Sequence, residues 1–100
     1  MSKVKYISLL KFKEGTSEEQ IQTIFDTILD ITESIPGIED YVSGPNASPE
    51  GLNQGYSHAL VMTFADATAR DAYLAHADHQ RVKALVEPVV DSLVVVDFEV

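Results

Sequence analysis

A chain of 100 residues with 45% hydrophobic side chains is sized for one domain and one core, and is too apolar to stay disordered. It has no cysteine, which excludes disulfides, thiolate nucleophiles and cysteine-based zinc sites and fits a reducing compartment, so the cytosol is the expected location. The formal net charge of −9 repels phosphate backbones and argues against nucleic acid as a partner.

In chain order, "KVKYISLLKFK" reads as a strand with Val4, Tyr6, Ser8, Leu10 and Phe12 on one face. Its other face, Lys5, Ile7, Leu9 and Lys11, is also apolar at the centre, so both faces call for cover. Lysines flank this run and no small-residue cleavage site follows, so it is expected to be a strand and not a signal peptide. "EGTSEEQ" opens a helix, with a capping box available to Ser17 and Gln20 or to Thr16 and Glu19. Ile21, Ile24, Phe25, Ile28, Ile31 and Ile35 make one apolar stripe, which Leu29 is expected to widen. Pro36 and Gly37 stop this helix near Ser34.

A short strand "IEDYVSG" and a turn-rich loop "PNASPEGLNQG" follow, the loop being long enough to form a lip over a cavity. "YSHALVMTFA" is the third strand, with Tyr56, His58, Leu60, Met62 and Phe64 on one face. A second helix starts near Asp66 or Thr68, breaks at "HADH", and resumes from about Gln80 to Val86. "SLVVVDFEV" is the last strand. No apolar run approaches membrane-spanning length, and no membrane partner is expected.

The order β-α-β-β-α-β predicts an α+β fold over residues 1–100, a four-stranded antiparallel sheet with helices on one face. Ile7, Leu9, Ala59 and Val61 then lie on the face the helices leave open. A second copy packed sheet to sheet is the simplest cover, so a homodimer is expected.

"AYLAHADHQRV" gathers Tyr73, His76 and His79 at three-residue spacing. Tyr73 and His76 would be about 60° apart on a helix, but His79 would be about 240° from Tyr73. The chain must therefore turn at "HADH" for Tyr73 and His79 to meet, with Asp78 a candidate cap for the helix beyond. His58, sharing a strand face with Leu60, could reach the same place. A histidine can take a proton at physiological pH, and a phenol beside it can position it or steady an enolate oxygen. In the alternative, Tyr73 plugs the core and the histidines are satisfied polar groups. His58, His76 and His79 could also supply three nitrogens to a metal, but the spacing alone is a weak signal and no metal site is expected.

Taken together, "LLKFKEGTSEEQ", "IPGI", "GYSHALVMTF", "AYLAHADHQRV" and "VVVDF" resemble, in order and spacing, the stress-responsive α/β-barrel (Dabb) domain family of the dimeric α+β barrel superfamily. The resemblance implies a ferredoxin-like protomer, a dimer whose sheets form a barrel, and a cavity between sheet and helices. Most members have no assigned reaction. One is a polyketide cyclase that works by aldol condensation, and its catalytic pair matches Tyr73 and His79. His58 and His76 match further histidines of that relative, and Tyr6, Phe25, Ile28 and Leu60 fall where the cavity is implied. The chain departs from the pattern in three ways. Tyr6 stands where relatives often have histidine, Ala77 replaces a proline between the histidines, and Ile24 and Ile28 replace pocket aromatics. The expected function is either cofactor-independent acid–base chemistry on a small carbonyl compound or non-catalytic, stress-related binding of a small apolar ligand.

Overall fold

A computed structural model describes residues 2–100. Seven elements follow in order: β1 (Val4–Phe12), α1 (Glu18–Ser34), β2 (Ile38–Pro45), β3 (His58–Phe64), α2 (Ala67–Ala75), α3 (Ala77–Val86) and β4 (Val90–Glu99). The sheet order is β2-β3-β1-β4 and every neighbouring pair is antiparallel. This is the ferredoxin-like arrangement, with its second helical segment split in two.

Register in the sheet sets residues of neighbouring strands side by side. Tyr6 lies opposite Met62 on one side and Asp97 on the other, and Leu10 lies opposite His58 and Leu93. Alternation along β1 sends Val4, Tyr6, Ser8 and Leu10 under the helices, where all four are buried.

α1 begins with a complete capping box. Gln20 N donates to Ser17 Oγ at 3.1 Å, and Ser17 N donates to Gln20 Oε1 at 2.9 Å. Of the two boxes open to the sequence, Ser17 with Gln20 is therefore the one formed. Its isoleucine stripe is buried throughout, but Leu29 is 44% exposed. It lies one residue past Ile28, about 100° around the axis, and flanks a shallow depression with Thr32 and Glu33, so it does not widen the stripe. Gly37, at φ +92, turns the chain out of α1. A Cβ at Gly37 would lie 2.6 Å from the Ala69 Cβ, so glycine is required both by the dihedral and by the space. α2 is capped by Asp66, whose Oδ1 accepts from Ala69 N at 2.8 Å.

The other sheet face is bare of helices. Ile7, Leu9 and Val61 are half-buried there, while Val42, Val96 and Phe98 are 55%, 56% and 50% exposed. Lys5 and Lys11 are bent against this face, Lys5 Nζ donating to Thr63 Oγ1 at 2.9 Å and Lys11 Nζ lying 4.8 Å from the Tyr56 ring centre. Tyr56 itself precedes β3, which begins at His58. Among the described residues no helix is long and apolar enough to cross a membrane.

Candidate functional site

The break at "HADH" is a corner of one residue. His76 closes α2, its N–H donating to Tyr73 O at 3.0 Å, with φ −71 and ψ 144. The same residue opens α3: its Nδ1 accepts from Asp78 N at 3.0 Å, and its carbonyl accepts from His79 N and Gln80 N. The cap of α3 is therefore the His76 side chain and not Asp78, and α3 starts at Ala77, ahead of the expected Gln80. An extended residue between two helices changes the chain direction, so a residue on α3 can face one on α2 despite the 240° that a continuous helix would impose.

Tyr73 and His79 do meet. Their ring centres are 4.7 Å apart with planes tilted by 51°, and both side chains are buried. Tyr73 also packs against Phe64, centre to centre 5.5 Å, and Phe64 in turn meets the Tyr6 ring edge-on at 6.0 Å. His79 Nδ1 lies 3.1 Å from Leu74 O. A carbonyl can only accept, so Nδ1 carries the proton and Nε2 is the basic nitrogen of the neutral ring.

Both residues line a cavity of about 280 Å³ between the sheet and the helices. β1 contributes Tyr6, Ser8 and Leu10, β3 contributes Leu60 and Met62, and α1 contributes Ile28. α3 forms the opposing wall with His79, Val82, Lys83 and Val86, and Leu93 and Val95 of the edge strand β4 stand at the side, about half exposed. The lining is mostly apolar with a few converging polar groups, the composition common to small-molecule sites.

Burial sets the protonation states. It pushes the Tyr73 hydroxyl well up, with Tyr6 and Tyr41 adding to the rise. Tyr6 is raised by burial too, Ser8 offsetting part of this and Asp97 reinforcing it. His79 is lowered, mainly by burial; the Leu74 carbonyl opposes the shift and Lys83 adds to it. The site therefore offers a neutral imidazole and a protonated phenol at neutral pH.

Of the residues expected here from sequence, Tyr73, His79, Tyr6, Ile28 and Leu60 line this one cavity. His58, His76 and Phe25 stand apart from it. The His58 ring stacks on Phe25 at 5.6 Å, meets Phe12 edge-on at 5.3 Å, and has Nδ1 2.8 Å from Ser57 Oγ. His58 borders a separate depression with Leu9, Asn46 and Leu52, and it is there that the long β2–β3 loop lies, away from Tyr73. His76 is exposed and occupied as the corner cap. Among the described residues no cluster of three histidine or acidic side chains is placed to hold a metal ion. Ser8 and Lys83 complete the polar lining and were not singled out from sequence. The available signals were a lone hydroxyl on the apolar face of β1 and a lysine one helical turn beyond His79.

The model of the stress-responsive A/B barrel domain matches residues 4–100 of the chain. The stress-response A/B barrel domain-containing protein HS1 of Arabidopsis thaliana is 29% identical over 96% of this chain and 88% of its own. Olivetolic acid cyclase of Cannabis sativa is 29% identical over 76% of this chain and 75% of its own. Among solved structures, a dimeric ferredoxin-like protein of unknown function from Jannaschia sp. superposes with a TM-score of 0.89 at 25% identity, covering 98% of this chain and 99% of that one.

Proposed function

The chain belongs to the stress-responsive A/B barrel domain family, and from that premise we propose that it is a homodimer whose protomers each hold a small, largely apolar carbonyl compound in the cavity beside Tyr73 and His79. The observation that carries this reading is the buried Tyr73–His79 contact at 4.7 Å on the wall of that cavity. The chemistry that follows needs no cofactor. Nε2 of neutral His79 takes a proton from the carbon next to the ligand carbonyl, giving an imidazolium and an enolate. The Tyr73 hydroxyl, kept protonated by burial, donates to the enolate oxygen. The enolate carbon is then free to attack a second carbonyl or to be reprotonated by His79. The likeness to olivetolic acid cyclase, a relative named for a cyclase activity, supports this class of reaction. The homodimer is supported by the bare apolar sheet face and by a neighbour described as dimeric.

A second reading has its own observation. His79 engages Leu74 O through Nδ1 and meets Tyr73 ring to ring, a packing that serves a passive binding protein equally well. Exchange of the protons next to the carbonyl of 2-octanone in deuterated buffer separates the two. The catalytic reading expects acceleration by the wild type, a fall of roughly a hundredfold in His79→Ala, and a smaller fall in Tyr73→Phe. Binding of the ketone with no exchange above buffer would establish the passive reading instead.

A further inference from the structure

Among the described residues the cavity lining carries one cation, Lys83, and that residue also borders a second, outer depression of about 420 Å³ with Val86, Glu87, Asp91 and Leu93. Lys83, Val86 and Leu93 are common to both spaces, so they form the threshold between them. Lys83 is exposed, and among the described residues the ion pairs formed by acids lie elsewhere: Asp78 with Arg81 and His76, Asp71 and Asp97 with Arg70, Glu39 with Lys3. It sits one helical turn from His79 and close enough to depress its basicity. Lys83 is thus a cation outside these ion pairs, at the threshold of an apolar cavity in a protein of net charge −9.

Resting on the cavity reading above, we propose that Lys83 anchors the head of an amphiphilic monoanion, a carboxylate or comparable single negative group, whose apolar body fills the space toward Ile28, Leu60 and Met62. The acids of the outer depression sharpen this choice. Glu87 and Asp91 line only the outer depression, so a second negative charge left outside would face them. A second charge carried inward would be desolvated among aliphatic side chains. One charge at the lysine and none at the far end is the pattern that fits. It also places the head group about one helical turn from His79.

The test is calorimetric titration at pH 8 with octanoate, its neutral near-isostere octanamide, and octanedioate. Octanoate is expected to bind roughly fivefold tighter than octanamide, a modest ratio because the lysine is exposed. Octanedioate is expected to bind more weakly than octanoate. Lys83→Met should bring octanoate and octanamide level, Lys83→Arg should keep the preference, and Lys83→Glu should reverse it. Octanoate binding no tighter than octanamide, or a preference that survives Lys83→Met, overturns the assignment while leaving the cavity reading intact. Failure of octanamide, octanoate and 2-octanone alike to bind overturns both.

Discussion

At the scale of single residues, His79 has the most exacting environment. One ring nitrogen is committed to Leu74 O, the ring lies against Tyr73, and burial lowers its pKa below the ordinary 6.5. The folded state thus favours the neutral ring more than the unfolded chain does. Above the unfolded value both states hold His79 neutral and it contributes no pH dependence. As pH falls from there through the lower folded value, the unfolded chain binds the proton first and stability drops; below the folded value the loss is complete. Urea unfolding of the wild type and of His79→Gln from pH 8 to pH 5 checks this, since the variant should lose less stability across that window. Equal slopes would place the acid sensitivity in other groups. The Tyr73–His79 meeting was legible in sequence because the helical pattern breaks at "HADH", where a turn brings the two side chains to one side. The position of His58 was less legible. Strand parity puts it on the helix-facing side with Leu60, but at the Leu10 end of the sheet, where Phe12 and Phe25 enclose it. Lys83 was not legible because hydrophobic periodicity ranks a solvent-facing lysine as surface.

Among the elements, α1 could be read almost completely: a capping box at one end, a glycine stop at the other, and a stripe of isoleucines between. The start of α3 could not. Its cap is an imidazole nitrogen, a role for which sequence rules favour Ser, Thr, Asp or Asn, and this drew attention to Asp78. The two ends of α1 make separable predictions. Gly37→Ala forces a non-glycine residue to φ +92 and sets its Cβ against Ala69, so it should cost roughly 1–3 kcal/mol or more in urea unfolding. Gly15→Ala is the control, with φ +86 but open space around the added methyl, and should cost less. Similar losses at both would mean that the contact with Ala69 relaxes freely.

For the whole molecule, the alternation of β1 and β3 foretold an apolar face without helices, and Val42, Val96 and Phe98 now give it exposed side chains. In the proposed dimer these are covered by the partner's sheet. Phe98→Glu places a charge in that contact and should shift the protein to monomer at micromolar concentration, read by sedimentation equilibrium; wild type and variant sedimenting alike would discard this face as the interface. The opposite side of the sheet invites a different kind of motion. His76 severs α2 from α3 at one extended residue, and α3 contributes most of the helical wall of the cavity facing the strands, beside Ile28 of α1 and Tyr73 and Leu74 of α2. α3 is a ten-residue plate hinged at its leading end, while the floor is a continuous hydrogen-bonded sheet. Displacing α3 would disturb its packing on both α1 and α2, the Tyr73–His79 contact included, and would leave every strand pairing in place. The cavity thus pairs a rigid floor with a wall segment that is joined to its neighbour through a single extended residue.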